Sequence, residues 1–167
     1  RLGEGTFLLH TKAGDVPVDV AVDAPDQLRA TLTSVEPRLD DLDERGLDDL
    51  LAALGWEADD LDPAMPPKVG FGGAWHPVIA VRSRTRLAHL AYDFEAMRAL
   101  MTERSWTTIQ LVWRQSPTVY HVRDPFPVGG VVEDPATGAA AAALGHYLRA
   151  LSLIAPPAKI ITLVQRD

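Results

Sequence analysis

Gly129-Gly130-Val131-Val132-Glu133-Asp134-Pro135-Ala136-Thr137-Gly138, followed by the alanines Ala139 to Ala143, is the stretch on which the reading of this chain turns. An apolar, strand-like run stops at two adjacent carboxylates, and a helix is expected to start at once, with a glycine in its first turn. The first N–H groups of a helix have no partner within it, and the helix dipole makes that end positive. A small carboxylate suits such a place. Gly138 has no Cβ to hold a ligand away from the backbone. Asp134 could bind an amine or hydroxyl, or move a proton. The same residues also read as plain capping, with Asp134 as N-cap and Pro135 as the first helical residue. Local sequence leaves both readings open. The alanine run has high helix propensity in any setting. Together with Leu144, Leu148 and Leu151 it leaves few polar positions, so this helix is expected to be buried on most sides.

Composition narrows the classes. At 167 residues the chain fits one domain or pieces of two. No apolar run approaches the length of a membrane helix, and the start, Arg1 to Gly5, has no signal-peptide pattern. A cytoplasmic location away from membranes is the expectation. Cysteine is absent, which excludes disulfides, thiolate metal sites and two-thiol acid–base chemistry. The histidines (His10, His76, His89, His121, His146) show no metal-ligand spacing, and no metal site is expected. The net charge of −7 is local. Residues 40–62 hold ten acidic residues and one basic one, Arg45; the remainder has 13 acidic and 15 basic residues. That segment reads as a solvated helix face with its flanking loops. No basic patch is interleaved with aromatics, so nucleic acid is not an expected partner.

Periodicity outlines the elements. Residues 7–11 and 16–22 read as a hairpin turning at Ala13-Gly14-Asp15, with Pro17 placing the second strand at an edge or near its start. Residues 28–35 read as a third strand. Leu47, Leu50, Leu51 and Leu54 form the apolar stripe of a helix over 46–54, stopped by Gly55. Residues 68–71 and 76–81 read as strands around a Gly72-Gly73 turn. Residues 94–104 form a helix capped by Asp93, with Met97, Leu100 and Met101 inward. Residues 107–113 and 118–122 are strands; Gln110, His121 and Arg123 could face a ligand but are expected on a solvated face. A last strand is expected over 159–164. The sum is an α+β protein: a mostly antiparallel sheet wrapped around one nonpolar helix.

Val131 to Ala140 resembles the signature of the PhzF-like phenazine-biosynthesis family, which has the diaminopimelate epimerase-like fold. The family pattern is an apolar pair, Glu-Asp, Pro or Ala, a variable residue, Thr-Gly, and often Ser. Phe7 to Gly14, Gly72 to Val81 and Arg123 to Val128 are similar to further family segments, in the family's order. The resemblance implies a curled sheet around a central apolar helix in each of two halves. Family members are much longer. Residues 1–37 then correspond to remnant strands of the N-terminal half, and 38–167 to the C-terminal half without its closing segment. Glu4 is too close to a later strand to stand for the family's acid–base glutamate, which would lie outside this chain.

For function, the resemblance implies an isomerase or epimerase-like enzyme that transfers a proton without a cofactor on a small carboxylate-bearing substrate, typically as a homodimer. Asp134 is the candidate catalytic residue. Glu133, Thr137, Gly138, Ala139 and Gly73 are candidate substrate-binding residues. Ala139 stands where catalytic members usually carry Ser. That departure and the missing glutamate support a second expectation, a non-catalytic binding or assembly module that keeps the anion-binding helix end.

Overall fold

The structure, a computed structural model, describes residues 4–24, 27–154 and 161–165. Two sheets organise it. The smaller joins β1 (Gly5–Thr11), β2 (Gly14–Ala24) and β3 (Gln27–Leu32) in antiparallel order. The larger has the order β4 (Arg38–Asp41), β5 (Lys68–Phe71), β6 (Trp75–Ala80), β7 (Gln110–Ser116), β8 (Val119–Arg123) and β9 (Thr162–Gln165). Its β6–β7 and β8–β9 pairs are parallel and the others antiparallel. Helices α1 (Glu44–Leu54), α2 (Arg84–Ala88), α3 (Phe94–Arg104) and α4 (Gly138–Ala150) complete an α+β protein. None of the described helices is long and apolar enough to cross a membrane.

Alternation along the strands divides the core by faces. Ile79, Val81, Ile109 and Leu111 pack with α1 and α3. Val78, Ala80, Val112, Tyr120 and Val122 point the other way and pack with Leu144, Tyr147 and Leu148 of α4. The stripe of α1 is inward as expected, and Asp43 starts the helix by accepting from the Gly46 N–H at 2.6 Å. Gly55 ends it in the left-handed region, at φ 64°. Asp93 caps α3 in the same way, and Met97 and Met101 are fully buried.

Helix α4 runs along β5 at unusually short range. A Cβ on Gly70 would lie 2.9 Å from the Ala143 Cβ. One on Gly72 would lie 2.3 Å from the Ala139 carbonyl oxygen and 3.0 Å from the Ala143 nitrogen. The glycines of β5 and the alanines of α4 are therefore one feature seen from two sides. Ala140 and Ala143 are fully buried, and no residue from Ala139 to Leu148 is exposed.

Several expectations needed correction. Residues 131–132 form no strand; Val131 and Val132 are bent and exposed after a left-handed Gly130. Of the two placements that Pro17 allowed, the edge fails, since β2 is the middle strand of its sheet, and the position near the strand's start holds; Pro17 is tolerated because β3 pairs with β2 only from Val18 onward. The hairpin turns at Lys12-Ala13, one position earlier than expected, with Thr11 opposite Gly14. The acidic segment is not all helix and loop, since Asp40 and Asp41 belong to β4. Helix α2 had no periodic signal in five residues. Residues 159 and 160 of the expected last strand lie outside the described residues.

Gly72→Ala is expected to cost about 1–3 kcal/mol, because backbone atoms oppose the new methyl and cannot rotate away. Gly138→Ala faces open space at the helix start and should be neutral or stabilise by a few tenths to about 1 kcal/mol. Urea denaturation of the two variants measures both, and equal costs would contradict the close approach.

Candidate functional site

The junction before α4 is tied by its main chain to the ends of two strands, β8 and β9. The Asp134 N–H donates to the Asp124 carbonyl at 3.0 Å, just past the end of β8. Gln165 of β9 donates its amide to the Asp134 carbonyl at 2.6 Å and to the Asp124 carboxylate at 2.7 Å. Pro125 and Glu133 form an isolated bridge. The chain therefore leaves β8, makes a tight excursion through residues 126–132 and returns to the same strand end. The Phe126 N–H bonds the Val132 carbonyl at 3.1 Å, and the Tyr92 hydroxyl donates to that same carbonyl at 2.6 Å.

These bonds overturn the capping arrangement. Asp134 is not the N-cap, because α4 begins further along the chain and the Asp134 carbonyl accepts from the Gln165 side chain. Helix α4 starts at Gly138 with Thr137 in the cap position and no side-chain cap. The Asp134 carboxylate instead accepts from the Ala136 N–H at 3.3 Å and the Thr137 hydroxyl at 2.8 Å. Asp134 and Thr137 are half-buried, and Gly138 is exposed with nothing near the site of a Cβ. The N–H groups of Gly138 and Ala139 thus head an uncapped helix beside a carboxylate. Gly73, at φ 110°, sits in the β5–β6 turn next to Gly72, which abuts the first turn of α4. Asp134, Thr137, Gly138, Ala139 and Gly73 are accordingly brought to one end of the helix.

Glu133 differs. Its carboxylate is 7% exposed and takes both the Nε (2.9 Å) and the Nη2 of Arg123. The remaining guanidinium nitrogen donates to the carbonyls of Leu87 and Ala88. A two-pronged pair of this burial fixes geometry more than it adds stability. Arg123 and Glu133 line a cavity of about 290 Å³ with Leu87, His121 and Val164 on the sheet face opposite α4.

The expectation of a solvated face for Gln110, His121 and Arg123 fails. Gln110 is 1% exposed and His121 7%. His121 packs on the Trp113 ring and meets the Gln115 side chain at 2.5 Å. Sequence reasoning also missed Asp124, which is 1% exposed. Its signal was available: Tyr120, Val122 and Asp124 are spaced by two, which places Asp124 on the α4 face. Burial, reinforced by the Asp134 and Glu133 charges, pushes its carboxyl up to about 8. His76, fully buried on the same face, is pushed down to about 4 by burial, with the Thr108 backbone pulling weakly the other way. Among the described residues no three carboxylate or imidazole groups gather in a metal-ligand arrangement.

An acid whose folded pKa lies above its unfolded value contributes stability that is complete below the unfolded value and is lost as pH rises through the folded one. For Asp124 that window runs from about 4 to about 8. Asp124→Asn should match the native protein in Tm near pH 4 and exceed it increasingly up to pH 8, by more than about 5 °C at the upper end. Parallel melting curves across that range would refute an acid buried in its neutral form.

Similarity to known proteins extends over almost the whole chain. Residues 1–165 match the profile of the PhzC-PhzF family, described as phenazine biosynthesis-like protein. The structure is similar to a PhzF-family phenazine biosynthesis protein of Bacillus anthracis, with TM-score 0.70 and 22% identity, over 88% of this chain and 50% of that one. It is similar to a protein of Pseudomonas aeruginosa described as a predicted epimerase, with TM-score 0.73 and 22% identity, over 91% of this chain and 51% of that one. A PhzF-family protein of Enterococcus faecalis gives TM-score 0.53 at 17% identity, over 91% and 51%. The chain spans about half the length of these structures. No curated protein matches it.

Proposed function

The chain belongs to the PhzC-PhzF family of phenazine biosynthesis-like proteins, and from that premise we propose that it supplies one wall of the active site of an isomerase or epimerase-like enzyme. The reaction is a proton transfer at a carbon next to a carboxylate or another group that stabilises the carbanion, without a cofactor. One observation carries the reading: an uncapped helix N-terminus opens beside Asp134, whose backbone is pinned on both sides while its carboxylate stays half-buried. In this reading the N–H groups of Gly138 and Ala139 receive the substrate carboxylate or its developing oxyanion, the interaction that usually contributes most to such catalysis. Asp134 binds or polarises the substrate, and Thr137 holds the Asp134 oxygen that is not turned toward it. Glu133 is tied to Arg123 and shapes the segment. Gly73 admits the substrate near the first turn of α4.

The proton-carrying glutamate belongs, in this proposal, to the other half of the full-length protein. Residues 1–37 would be strands of that half and 38–167 the C-terminal half, its sheet curled around α4 in the diaminopimelate epimerase-like manner. The small sheet supports this division. Leu9, Val22, Leu28 and Leu32 are each about half exposed on one face of it, a face that a companion half would cover.

Orientation by the second wall is a large part of such catalysis, so the test needs the full-length protein. Incubated in D2O with small amino and hydroxy acids, it should place deuterium at the carbon next to the carboxylate. Asp134→Asn should slow that exchange by about 10²-fold or more. Turnover with no deuterium incorporated would end the isomerase reading. Ala139, which brings no hydroxyl to the helix start, supports the second reading, a non-catalytic binding module. Small carboxylates that still bind after Asp134→Asn, with no turnover by the full-length protein, would favour it.

A further inference from the structure

The α4 face of the large sheet changes character along its length. Under the C-terminal turns of α4 it is apolar, with Val78, Ala80, Val112, Tyr120 and Val122. Under the N-terminal turns, the same face carries His76, Thr108, Gln110 and Asp124, each no more than 1% exposed. Four of their atoms have no hydrogen-bond partner: His76 Nε2, Gln110 Nε2, Gln110 Oε1 and Asp124 Oδ1. Buried polar atoms are rarely left in that condition.

The register shows that these residues are neighbours. Leu111 is opposite Arg123, and the Ile109 N–H reaches the Pro125 carbonyl at 3.2 Å, so Gln110 and Asp124 face each other across β7 and β8. Directly opposed residues have Cβ atoms about 4.5–5.5 Å apart, within reach of a glutamine. Gln110 is paired with Val78, two residues from His76 on the same face, which makes His76 its diagonal neighbour. The His76 Nδ1 meets the Thr108 hydroxyl at 2.9 Å. At the other end, Gln165 joins Asp124 to the Asp134 carbonyl.

We propose that His76, Gln110, Asp124 and Gln165 form one hydrogen-bonded relay across four strands, closed by small side-chain rotations, in which Asp124 holds a proton and acts as the positioning residue behind Asp134. The donors and acceptors match in only one order when Asp124 is neutral. Asp124 Oδ1–H donates to Gln110 Oε1, Gln110 Nε2–H donates to His76 Nε2, and His76 Nδ1–H donates to Thr108. All four unpartnered atoms are then used. When Asp124 loses its proton, its Oδ1 can only accept. The Gln110 amide must reverse, and its carbonyl then meets His76 Nε2, which must now carry the hydrogen. The tautomer of His76 therefore reports the proton on Asp124, although the two residues do not touch.

The charges around Asp124 favour the neutral form. Asp134 and Glu133, in the segment before α4, are close enough for their charges to raise its carboxyl. Arg123 lies on the opposite sheet face and is taken up by Glu133. Tyr92 bonds the Val132 carbonyl, and burial and Glu133 hold its hydroxyl up at about 12. The first two turns of α4 carry no titratable group, and His76 is neutral down to about pH 4.

The relay stands on geometry alone; its link to chemistry rests on the reading of Asp134 as a site residue. Nitrogen NMR of His76 in the full-length protein separates the two. Expected is a neutral Nδ1–H ring at pH 6 that changes toward the Nε2–H form as pH rises through about 8. Asp124→Asn should hold the Nδ1–H form throughout, because its amide donates to Gln110 at every pH. Gln110→Leu should abolish the change. An Nε2–H ring at pH 6, a native ring unaltered between pH 6 and 9, or a change that persists in Gln110→Leu would overturn the relay, and the first two need no variant. For positioning, Gln165→Leu should lower kcat for deuterium exchange about tenfold with little effect on KM, while the His76 change remains. An unchanged kcat with the His76 behaviour intact would overturn the positioning role and leave the relay standing. Loss of exchange in no Asp134 variant would instead count against the functional reading itself.

Discussion

The close seat of α4 on β5 is the constraint on which the rest depends. A helix packed on a sheet through ordinary side chains stands well clear of the strand backbone. Here Gly70 and Gly72 offer no side chain, and Ala139, Ala142 and Ala143 offer one carbon each. The helix can sink until its own backbone meets the strand. That depth sets where the helix begins, because Gly72 lies under Ala139. It also brings the β5–β6 turn, with its positive-φ Gly73, level with the uncapped N–H groups. A larger residue at any of these positions would lift the helix and move the site with it.

The same seat accounts for the polar end of the sheet face. An alanine-faced helix cannot fill the space above strands with large apolar groups, and at its N-terminal turns it presents dipoles rather than bulk. Longer polar side chains from the strands can occupy that space if their hydrogen bonds close among themselves. Toward the C-terminal turns the helix carries Leu144, Tyr147 and Leu148, and there the strands are apolar. Even there one polar group is anchored, with the Tyr147 hydroxyl donating to the Pro66 carbonyl at 2.9 Å. Polarity along this face follows the change of side-chain size along α4.

How much of this was legible depended on whether the signal was local. The Leu47 to Leu54 stripe and the Asp43 and Asp93 caps are written within one element, and α1 and α3 follow them. The alanine run announced a buried helix, and the glycines announced a turn. Their meeting could not be read from either, because it is a long-range pairing of small residues. The capping reading, taken alone, set the start of α4 too early for the same reason. Asp-Pro is a good local cap, but the Asp134 main chain is held in line with the sheet ends by Asp124 and Gln165, and the helix starts only at Gly138. Gln110 was placed on a solvated face and Asp124 was missed because a polar residue in or just past a strand reads as solvent-facing until the strand's neighbours are known. The two-residue spacing from Tyr120 through Val122 said otherwise.

The two roles first weighed for Asp134 separate on this geometry. In an N-cap the carboxylate is consumed by the helix and the backbone is left loose. Here the order is reversed. The backbone is held by β8 and β9 through Asp124 and Gln165, and the carboxylate keeps only a long bond from Ala136 and one hydroxyl from Thr137. An acid held by its main chain is rigid in position while its oxygens retain unused accepting capacity. Such a group can meet a ligand without first giving up the bonds that place it. The helix end is left uncapped at the same point. Both consequences follow from one cause, the binding of the Asp134 main chain to the sheet rather than to the helix.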